Sequence, residues 1–178
     1  MTSDITERSI SVSERVTAAI ELNGADLYKY LRRRTSSPEE AADAMGDSFL
    51  VIWRRKESLP PDPIEARLWC FGVARHVAHR YARDGKRQRL LQSAAQGEAA
   101  ISAKSSAADP TQRMEIAIDV RAAVNSLPTK YQELVRLTHW DGFTIEDAAK
   151  LLKIKPSTAR TQHARARQRL AALLAPEQ

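Results

Sequence analysis

The stretch TIEDAAKLLKIKPSTARTQHARARQRL, residues 144–170, contains two helical patterns separated by a short turn at residues 153–155. Thr144 is a good N-cap, and Asp147 three positions later comes close to a capping box, although Asp replaces the preferred Glu. Pro156 suits the first turn of the second helix, where a missing N–H has no intrahelical partner to lose. The predicted inner stripe of the first helix is Ile145, Ala148, Ala149 and Leu152. Two helices so closely connected predict a helix-turn-helix.

The second helix has one packed side and one cationic, polar side. Ala159, His163, Ala166 and Leu170 recur at helical spacing and predict the packed side. The N-terminal end of such a helix enters the major groove of DNA, so the outward residues there are candidates for DNA contact. These residues are Ser157, Thr158, Arg160, Thr161 and Arg165. The packed side has no Phe or Trp to enter a bilayer interface, which favours DNA over a membrane surface.

The charge of the whole chain agrees with a polyanionic partner. The 178 residues include 28 Lys and Arg against 22 Asp and Glu, which leaves a net charge of +6. A positive field of this kind attracts nucleic acid or an anionic membrane. Besides the cations of the C-terminal stretch, a second group lies in the middle of the chain: Arg75, Arg80, Arg83, Lys86, Arg87 and Arg89. Two separate basic surfaces are therefore expected.

Several classes of protein are disfavoured. The single cysteine, Cys70, excludes an internal disulfide and a cysteine-cluster zinc site, and its apolar surroundings predict a buried, inert thiol. The four histidines are scattered, and neither a nucleophile arrangement nor a glycine-rich phosphate loop is present. We therefore expect no enzyme activity, no catalytic residues, no metal site and no cofactor. Because no signal-peptide core and no apolar run of about 18 residues occurs, we expect a cytoplasmic protein without membrane insertion.

Helical periodicity without the two-residue alternation of strands predicts an all-α chain of two small helical domains. One or two helices are expected over 13–34, another from Pro38 to about Arg55 capped by Ser37, and a long one from about Ile64 to about Arg89. KESLPPDP, residues 56–63, must be a loop because of its prolines. Small polar residues predict a flexible linker over 91–112, since they bury too little surface to offset chain entropy. The predicted domains are thus 1–90 and 113–178.

The helix that begins at Pro38 is amphipathic, with carboxylates on one side. Its predicted apolar stripe is Ala42, Met45, Phe49, Ile52 and Trp53. Glu40, Asp43 and Asp47 fall on the opposite face. An acidic face of this kind is either an ordinary solvated surface or a docking site for a basic partner.

The sequence resembles a known family in two places. SLPTKYQELVRLTHWDGFTIEDAAKLLKIKPSTARTQHARARQRL, residues 126–170, resembles region four of the sigma-70 family of RNA polymerase sigma factors. LYKYLRRRTSSPEEAADAMGDSFLVIW, residues 27–53, and RLWCFGVARHVAHRYARDGKRQR, residues 67–89, resemble region two. Two such regions with a short linker and no others are typical of the extracytoplasmic-function (ECF) subgroup.

The resemblance implies a transcription initiation factor that binds core RNA polymerase and directs it to promoters through their minus-ten and minus-thirty-five elements. The implied partners are promoter DNA, an anti-sigma factor, and core RNA polymerase through the clamp helices of its largest subunit and its flap. Asp43 and Asp47 correspond to polymerase-binding positions. The minus-thirty-five positions correspond to Arg160, Thr161 and Arg165 for bases, with Ser157 and Thr158 on phosphates. The positions for the minus-ten element and strand separation correspond to Trp69, Arg75, His76, Arg80, Arg83, Lys86 and Arg87.

Some alternatives stay open at this point. Trp69 is as well explained as a core residue as by a contact with a base that the loop at Lys56–Glu65 captures. His76, Gly46 and His163 depart from the residues common in the family, so promoter preference cannot be copied from relatives. One rival function is a helix-turn-helix regulator that acts on a palindromic site without polymerase. Another is an interaction protein that titrates a different regulator.

Overall fold

The computed structural model describes residues 11–96 and 120–175. Every regular element in these two ranges is helical, which confirms the all-α prediction. The chain divides into two compact units, residues 1–99 and 100–178.

The first unit contains three long helices. Helix α1 spans Val12–Arg32, α2 spans Pro38–Arg54 and α3 spans Pro63–Gln96, with a single 3₁₀ turn at Lys56–Ser58 between the last two. At the start of each helix, a side-chain oxygen accepts a hydrogen bond from a backbone N–H of the first turn. This is the usual way to satisfy those N–H donors, which have no partner within the helix. The Oγ atoms of Ser11 and Ser37 accept hydrogen bonds from the backbone N–H groups of Glu14 and Glu40. The Oδ1 atom of Asp62 accepts one from the backbone N–H of Glu65.

The three helices pack against one another around a shared apolar core. Tyr30 on α1 and Phe71 on α3 are fully buried and meet edge to face, with ring centroids 5.3 Å apart. Cys70 beside them is also fully buried, and burial raises its pKa to about 11. The expectation of a buried thiol is therefore confirmed, and its inertness stays a prediction.

The buried face of α2 differs from the predicted apolar stripe. Its buried residues are Ala41, Ala44, Ser48 and Ile52, whereas Ala42 is exposed and Trp53 is 47% exposed. Small residues let α2 approach its neighbouring helices closely. Close packing, rather than the position of the largest apolar side chains, therefore selects the buried face. Ser48 is accommodated there because its hydroxyl donates to the carbonyl of Ala44 at 2.7 Å. Larger side chains flank the contact, and a Cβ on Gly24 of α1 would lie 3.6 Å from Met45 Cε.

The end of α3 also differs from the prediction. The helix extends to Gln96, into the segment that the composition assigned to a linker beginning at residue 91. Ala and Gln have good helix propensity, and an existing helix adds residues at little cost once it is nucleated. The rest of the expected linker, from residue 97, and the helical pattern expected near Met114 lie outside the described residues.

The second unit contains a described helix at 120–126, here α4, followed by α5 at Thr129–His139, α6 at Ile145–Leu152 and α7 at Pro156–Leu173. Its core is formed by Val124, Leu127, Tyr131, Val135 and Ala166, with Leu170 packed against it. The buried residues of α5 are Tyr131, Leu134, Val135 and Leu137. In α6, Leu151 is buried and Leu152 only half-buried, a shift of one residue from the predicted stripe.

Left-handed residues lie in two of the turns between the described helices of this unit. Gly142, with φ of 73°, follows α5, and Lys153, with φ of 55° and ψ of 43°, ends α6. A left-handed residue after a helix lets backbone N–H groups close on the last carbonyls. The N–H of Lys153 and that of Ile154 do so, on Lys150 and Ala149. The helix-turn-helix predicted from the sequence is therefore present in α6, this turn and α7.

Candidate nucleic-acid interface

The N-terminal end of α7 presents the predicted DNA-contact residues on an open surface. Ala159 and Ala166 are fully buried, so their helix face packs inward and His163 and Leu170 on the same stripe are half-buried. The residues on the other sides are exposed, and they are Ser157, Thr158, Arg160, Thr161 and Arg165. The structure thus brings these five together within residues 157–165 of one helix.

The start of α6 is strongly organised. Thr144 Oγ1 accepts from the backbone N–H of Asp147 at 3.1 Å, and its hydroxyl donates to Asp147 Oδ2 at 2.7 Å. Lys150 forms an ion pair with Asp147 Oδ1 at 3.3 Å. The predicted Thr144 cap is confirmed. These bonds hold the first turn of α6, the helix that packs against α7.

Glu146 contacts Arg160, and the sequence pattern did not predict this contact. Both the Nε and the Nη2 of Arg160 donate to Glu146 Oε1, at 3.2 and 3.1 Å. The pKa of Glu146 is lowered, first by a hydrogen bond from its own backbone N–H and then by Arg160. The two residues lie on different helices, and periodicity relates only residues of the same helix. Only the packing angle of α6 on α7 brings them together.

His163 faces a second histidine across the unit. His163 Nε2 lies 3.1 Å from Nε2 of His139 on α5, and the rings are stacked with centroids 5.3 Å apart. Burial lowers the pKa of His163, and the charges of His139 and Arg167 lower it further. At this distance one nitrogen must donate and the other accept, so at most one of the two facing nitrogens can carry a proton. The contact therefore favours the neutral form of His163.

The second basic group forms a surface along α3. His76, Arg80, Arg83, Lys86 and Arg87 are exposed, while Arg75 is half-buried. Trp69 is half-buried as well, which fits both a core residue and a base contact. The loop before α3 is tied to α1, because Arg15 Nη2 donates to the carbonyl of Leu59 at 2.6 Å and Lys56 Nζ to Ser13 Oγ at 3.2 Å.

The two carboxylates predicted to bind polymerase have different surroundings. Asp43 is exposed on α2. Asp47 instead forms an ion pair with Arg80 of α3 and accepts a hydrogen bond from the Tyr81 hydroxyl at 2.9 Å. The pKa of Tyr81 is raised by burial and by this bond to Asp47. A residue predicted for polymerase and one predicted for DNA are thus joined to each other.

An apolar groove lies on the second unit between α4, α5 and the C-terminal half of α7. Its volume is about 680 Å³, and Val120, Val124, Val135 and Trp140 are among its lining residues. None of the predicted DNA-contact residues of α7 lines it. Within the described residues, no three His, Cys, Asp or Glu side chains are grouped as a metal site would require. No helix in these described residues has the length and apolar character to cross a membrane.

Comparisons with known proteins match both halves of the chain. The Sigma-70 region 2 family matches residues 19–88, and the Sigma-70, region 4 family matches residues 117–170. The ECF RNA polymerase sigma factor SigM of Mycobacterium tuberculosis is 30% identical over 148 residues, which cover 83% of this chain and 71% of the relative. The chain belongs to the ECF sigma factors of RNA polymerase. This sigma factor is accordingly a promoter-directing transcription initiation factor. The alternative function, a regulator that acts without polymerase, is not favoured.

Further relatives agree with the family. SigM of Bacillus subtilis is 26% identical to the sigma factor over 148 residues, which cover 83% of the chain and 88% of the relative. Among solved structures, the sigma factor RpoE of Bartonella quintana, in complex with the anti-sigma factor NepR, matches with a TM-score of 0.66 and 23% identity, covering 93% of this chain and 99% of RpoE. CnrH in complex with the cytosolic domain of CnrY matches with a TM-score of 0.61 and 19% identity, covering 91% and 88% of the two chains. At these identities the structures show a shared fold.

Proposed function

We propose that the two units of this sigma factor read two separate promoter elements. Residues 1–90 act as region two, which recognises the minus-ten element and separates the strands, and residues 113–178 act as region four, which reads the minus-thirty-five element. The observation that carries the proposal is the exposed cluster of hydroxyls and arginines at residues 157–165 of α7, in a helix-turn-helix whose first helix is capped by Thr144.

Within the second unit, bases and phosphates are contacted by different residues. Arg160, Thr161 and Arg165 read base edges, because an arginine can donate two hydrogen bonds to guanine O6 and N7. Ser157 and Thr158 lie nearer the start of α7, where hydroxyls and the helix N-terminus favour phosphate oxygens. This unit therefore supplies sequence selectivity.

Within the first unit, the cations of α3 guide the separated strands. Arg80, Arg83, Lys86 and Arg87 are exposed at helical spacing and contribute affinity without sequence information. Trp69 and His76 lie nearer the loop at Lys56–Glu65, where an unstacked base of the minus-ten element is held by stacking. The half-buried Arg75 supports this surface.

Core RNA polymerase binds both units. Asp43 and Asp47 on α2 face basic side chains of the clamp helices, and Asp43 is the more accessible of the two because Asp47 already has partners on α3. The apolar groove on the second unit is the surface for the flap, since it is open and lies apart from the DNA-contact residues. Each unit alone binds DNA weakly, and the polymerase raises the affinity by holding both at the right separation.

Other features of the function follow from the family. An anti-sigma factor binds this chain, as NepR is bound to RpoE of Bartonella quintana. The sigma factor has no catalytic activity of its own and needs no cofactor, and it acts in the cytoplasm, where core polymerase transcribes.

Reconstitution with core RNA polymerase tests the proposal. The purified chain should co-purify with core enzyme and support run-off transcription from a promoter that carries both elements, and footprints should cover both. Without core enzyme it should bind the same promoter poorly. The proposal fails if the chain does not associate with core enzyme but binds an isolated palindromic site tightly.

A further inference from the structure

Glu146 contacts Arg160 of α7 from the start of α6, and the proposed function gives it no role. We propose that Glu146 is a positioning residue, which holds Arg160 in the orientation that reads a base and weakens its attraction to phosphates. The inference rests on the proposed function, because it requires that Arg160 read the minus-thirty-five element.

The contact with Glu146 leaves one side of the Arg160 guanidinium free to bind two acceptors. Its Nε and Nη2 both donate to Glu146 Oε1, so the side edge of the guanidinium is occupied. A guanidinium can grip two acceptors through this edge or through the end that carries Nη1 and the outer hydrogen of Nη2. Because Glu146 occupies the side edge, Arg160 presents Nη1 and the outer hydrogen of Nη2 to DNA. When α7 enters the major groove, a guanine then meets a guanidinium plane of fixed orientation instead of a freely rotating arginine side chain.

Glu146 is itself well placed to act as a fixed point. It lies in the first turn of α6, where its own backbone N–H donates to its carboxylate and helps to lower its pKa. The Thr144 cap holds that turn, and the fully buried Ala148 and Ala159 mark the close packing of α6 on α7. Orienting Arg160 before DNA arrives reduces the side-chain entropy that binding would otherwise cost.

The charge of Glu146 acts in the same direction. A carboxylate 3.1 Å from the guanidinium competes with phosphates, which every DNA sequence offers equally. A matched promoter also offers base acceptors to the free end of Arg160, and these do not require the carboxylate to leave. The side chains of Glu146 and Arg160 are 53% and 61% exposed, so DNA reaches them readily. Glu146 therefore penalises non-matching DNA more than matching DNA.

The test uses holoenzyme formed from core RNA polymerase and the full chain, on promoters that differ by single bases in the minus-thirty-five element. Glu146→Gln should lower the ratio of matched to mismatched transcription by about 3- to 10-fold, part of the discrimination that a two-bond arginine contact supplies. It should also raise binding to non-promoter DNA. Arg160→Lys, which keeps the charge but has no planar edge, should cause a similar loss of the ratio.

Three controls separate positioning from other effects. Glu133→Gln removes the same charge from the same unit and should leave the ratio unchanged. Glu146→Gln added to Arg160→Ala should change nothing further, because Glu146 acts only through Arg160. The melting temperature of Glu146→Gln should match that of the wild type.

The outcomes are distinguishable. If Arg160→Ala flattens the base preference while Glu146→Gln leaves it intact, the inference is overturned and the proposed function stands. If Glu146→Gln shifts the preference equally with and without Arg160, positioning is also refuted. If Arg160→Ala leaves the preference unchanged, the assigned base-reading role fails, and the inference fails with it.

Discussion

Both helices proposed to face DNA hold an arginine against a carboxylate of a neighbouring helix, but the surroundings of the two pairs differ. Arg80 of α3 pairs with Asp47, which also accepts from the Tyr81 hydroxyl. Arg160 of α7 pairs with Glu146, and the two side chains of this pair are more exposed, at 61% and 53% against 48% and 37% for Arg80 and Asp47. The same ion chemistry therefore joins helices in the first unit and orients a single side chain in the second.

This difference has a physical basis. A carboxylate with two partners on one neighbouring helix links the two helices, so removing it disturbs their packing. A carboxylate with one exposed arginine partner contributes little to stability, because water screens the pair and both side chains lose entropy. Substitutions in the first pair should thus affect folding and binding together, whereas those in the second should affect binding selectivity alone.

The largest effect is expected at the second pair. Arg160→Ala should reduce transcription from the preferred minus-thirty-five sequence by about 10- to 100-fold and weaken non-preferred sequences much less, because a two-bond base contact contributes roughly 1–3 kcal/mol of discrimination. Run-off transcription over a promoter panel measures it. Arg169→Ala removes the same charge near the other end of α7 and is the matched control. Equal losses across the panel would contradict the base-reading role.

The next effect concerns the first pair. Asp47→Lys should lower the free energy of unfolding by roughly 1–2 kcal/mol, since it places a cation beside Arg80 and removes the acceptor of Tyr81. It should also weaken polymerase binding. Asp43→Lys, on the exposed side of the same helix, should weaken polymerase binding with an unchanged melting temperature.

Thermal denaturation and core-enzyme affinity measured on both variants distinguish these cases. Tyr81→Phe removes only the hydroxyl and should reproduce part of the stability loss without the polymerase defect. If Asp47→Lys melts like the wild type, the ion pair with Arg80 does not join the helices as described.

A smaller effect is expected at a cation of α3 that lies further along the helix. Lys86→Ala should reduce promoter binding a few-fold and equally across sequences. The salt dependence of log affinity should become shallower by about 0.7 to 0.9, the value expected for one lost phosphate contact. Binding of holoenzyme at several salt concentrations tests this. A sequence-dependent loss would show that Lys86 contacts bases.

The smallest effect is a dependence of stability on pH. Because the folded-state pKa of His163 is lowered, the unfolded chain binds a proton more readily than the folded one. The stabilising contribution is therefore complete above the ordinary histidine pKa of about 6.5 and is lost as pH falls below it. Thermal melts at pH 7.5 and pH 5 should show this loss as a lower melting temperature at pH 5.

His163→Leu is the matched variant, because it removes the titrating group and fills the half-buried position with an apolar side chain. Its melting temperature should fall less between the two pH values than that of the wild type. His139 and Arg167, which face His163, stay in place in both proteins. An equal fall in both proteins would assign the pH dependence to other groups.

Much of the fold could be predicted from local chemistry. Ser37, Thr144 and Pro156 mark helix starts because capping and proline geometry depend only on neighbouring residues. The helix-turn-helix and the exposed residues of α7 follow from the same local rules. Prediction was less accurate for α2, where Ala41 rather than Ala42 is buried, because the orientation of a helix about its axis depends on its neighbours.

The amino-acid sequence by itself determined that the chain is helical, where most helices begin, which residues of α7 are outward and that the family is that of the ECF sigma factors. These properties depend on residues close together in the chain or on motifs. Only the tertiary structure decided which carboxylate meets which arginine. Asp47 with Arg80 and Glu146 with Arg160 are pairs on separate helices, and the geometry of helix packing, which no local pattern encodes, sets their distances.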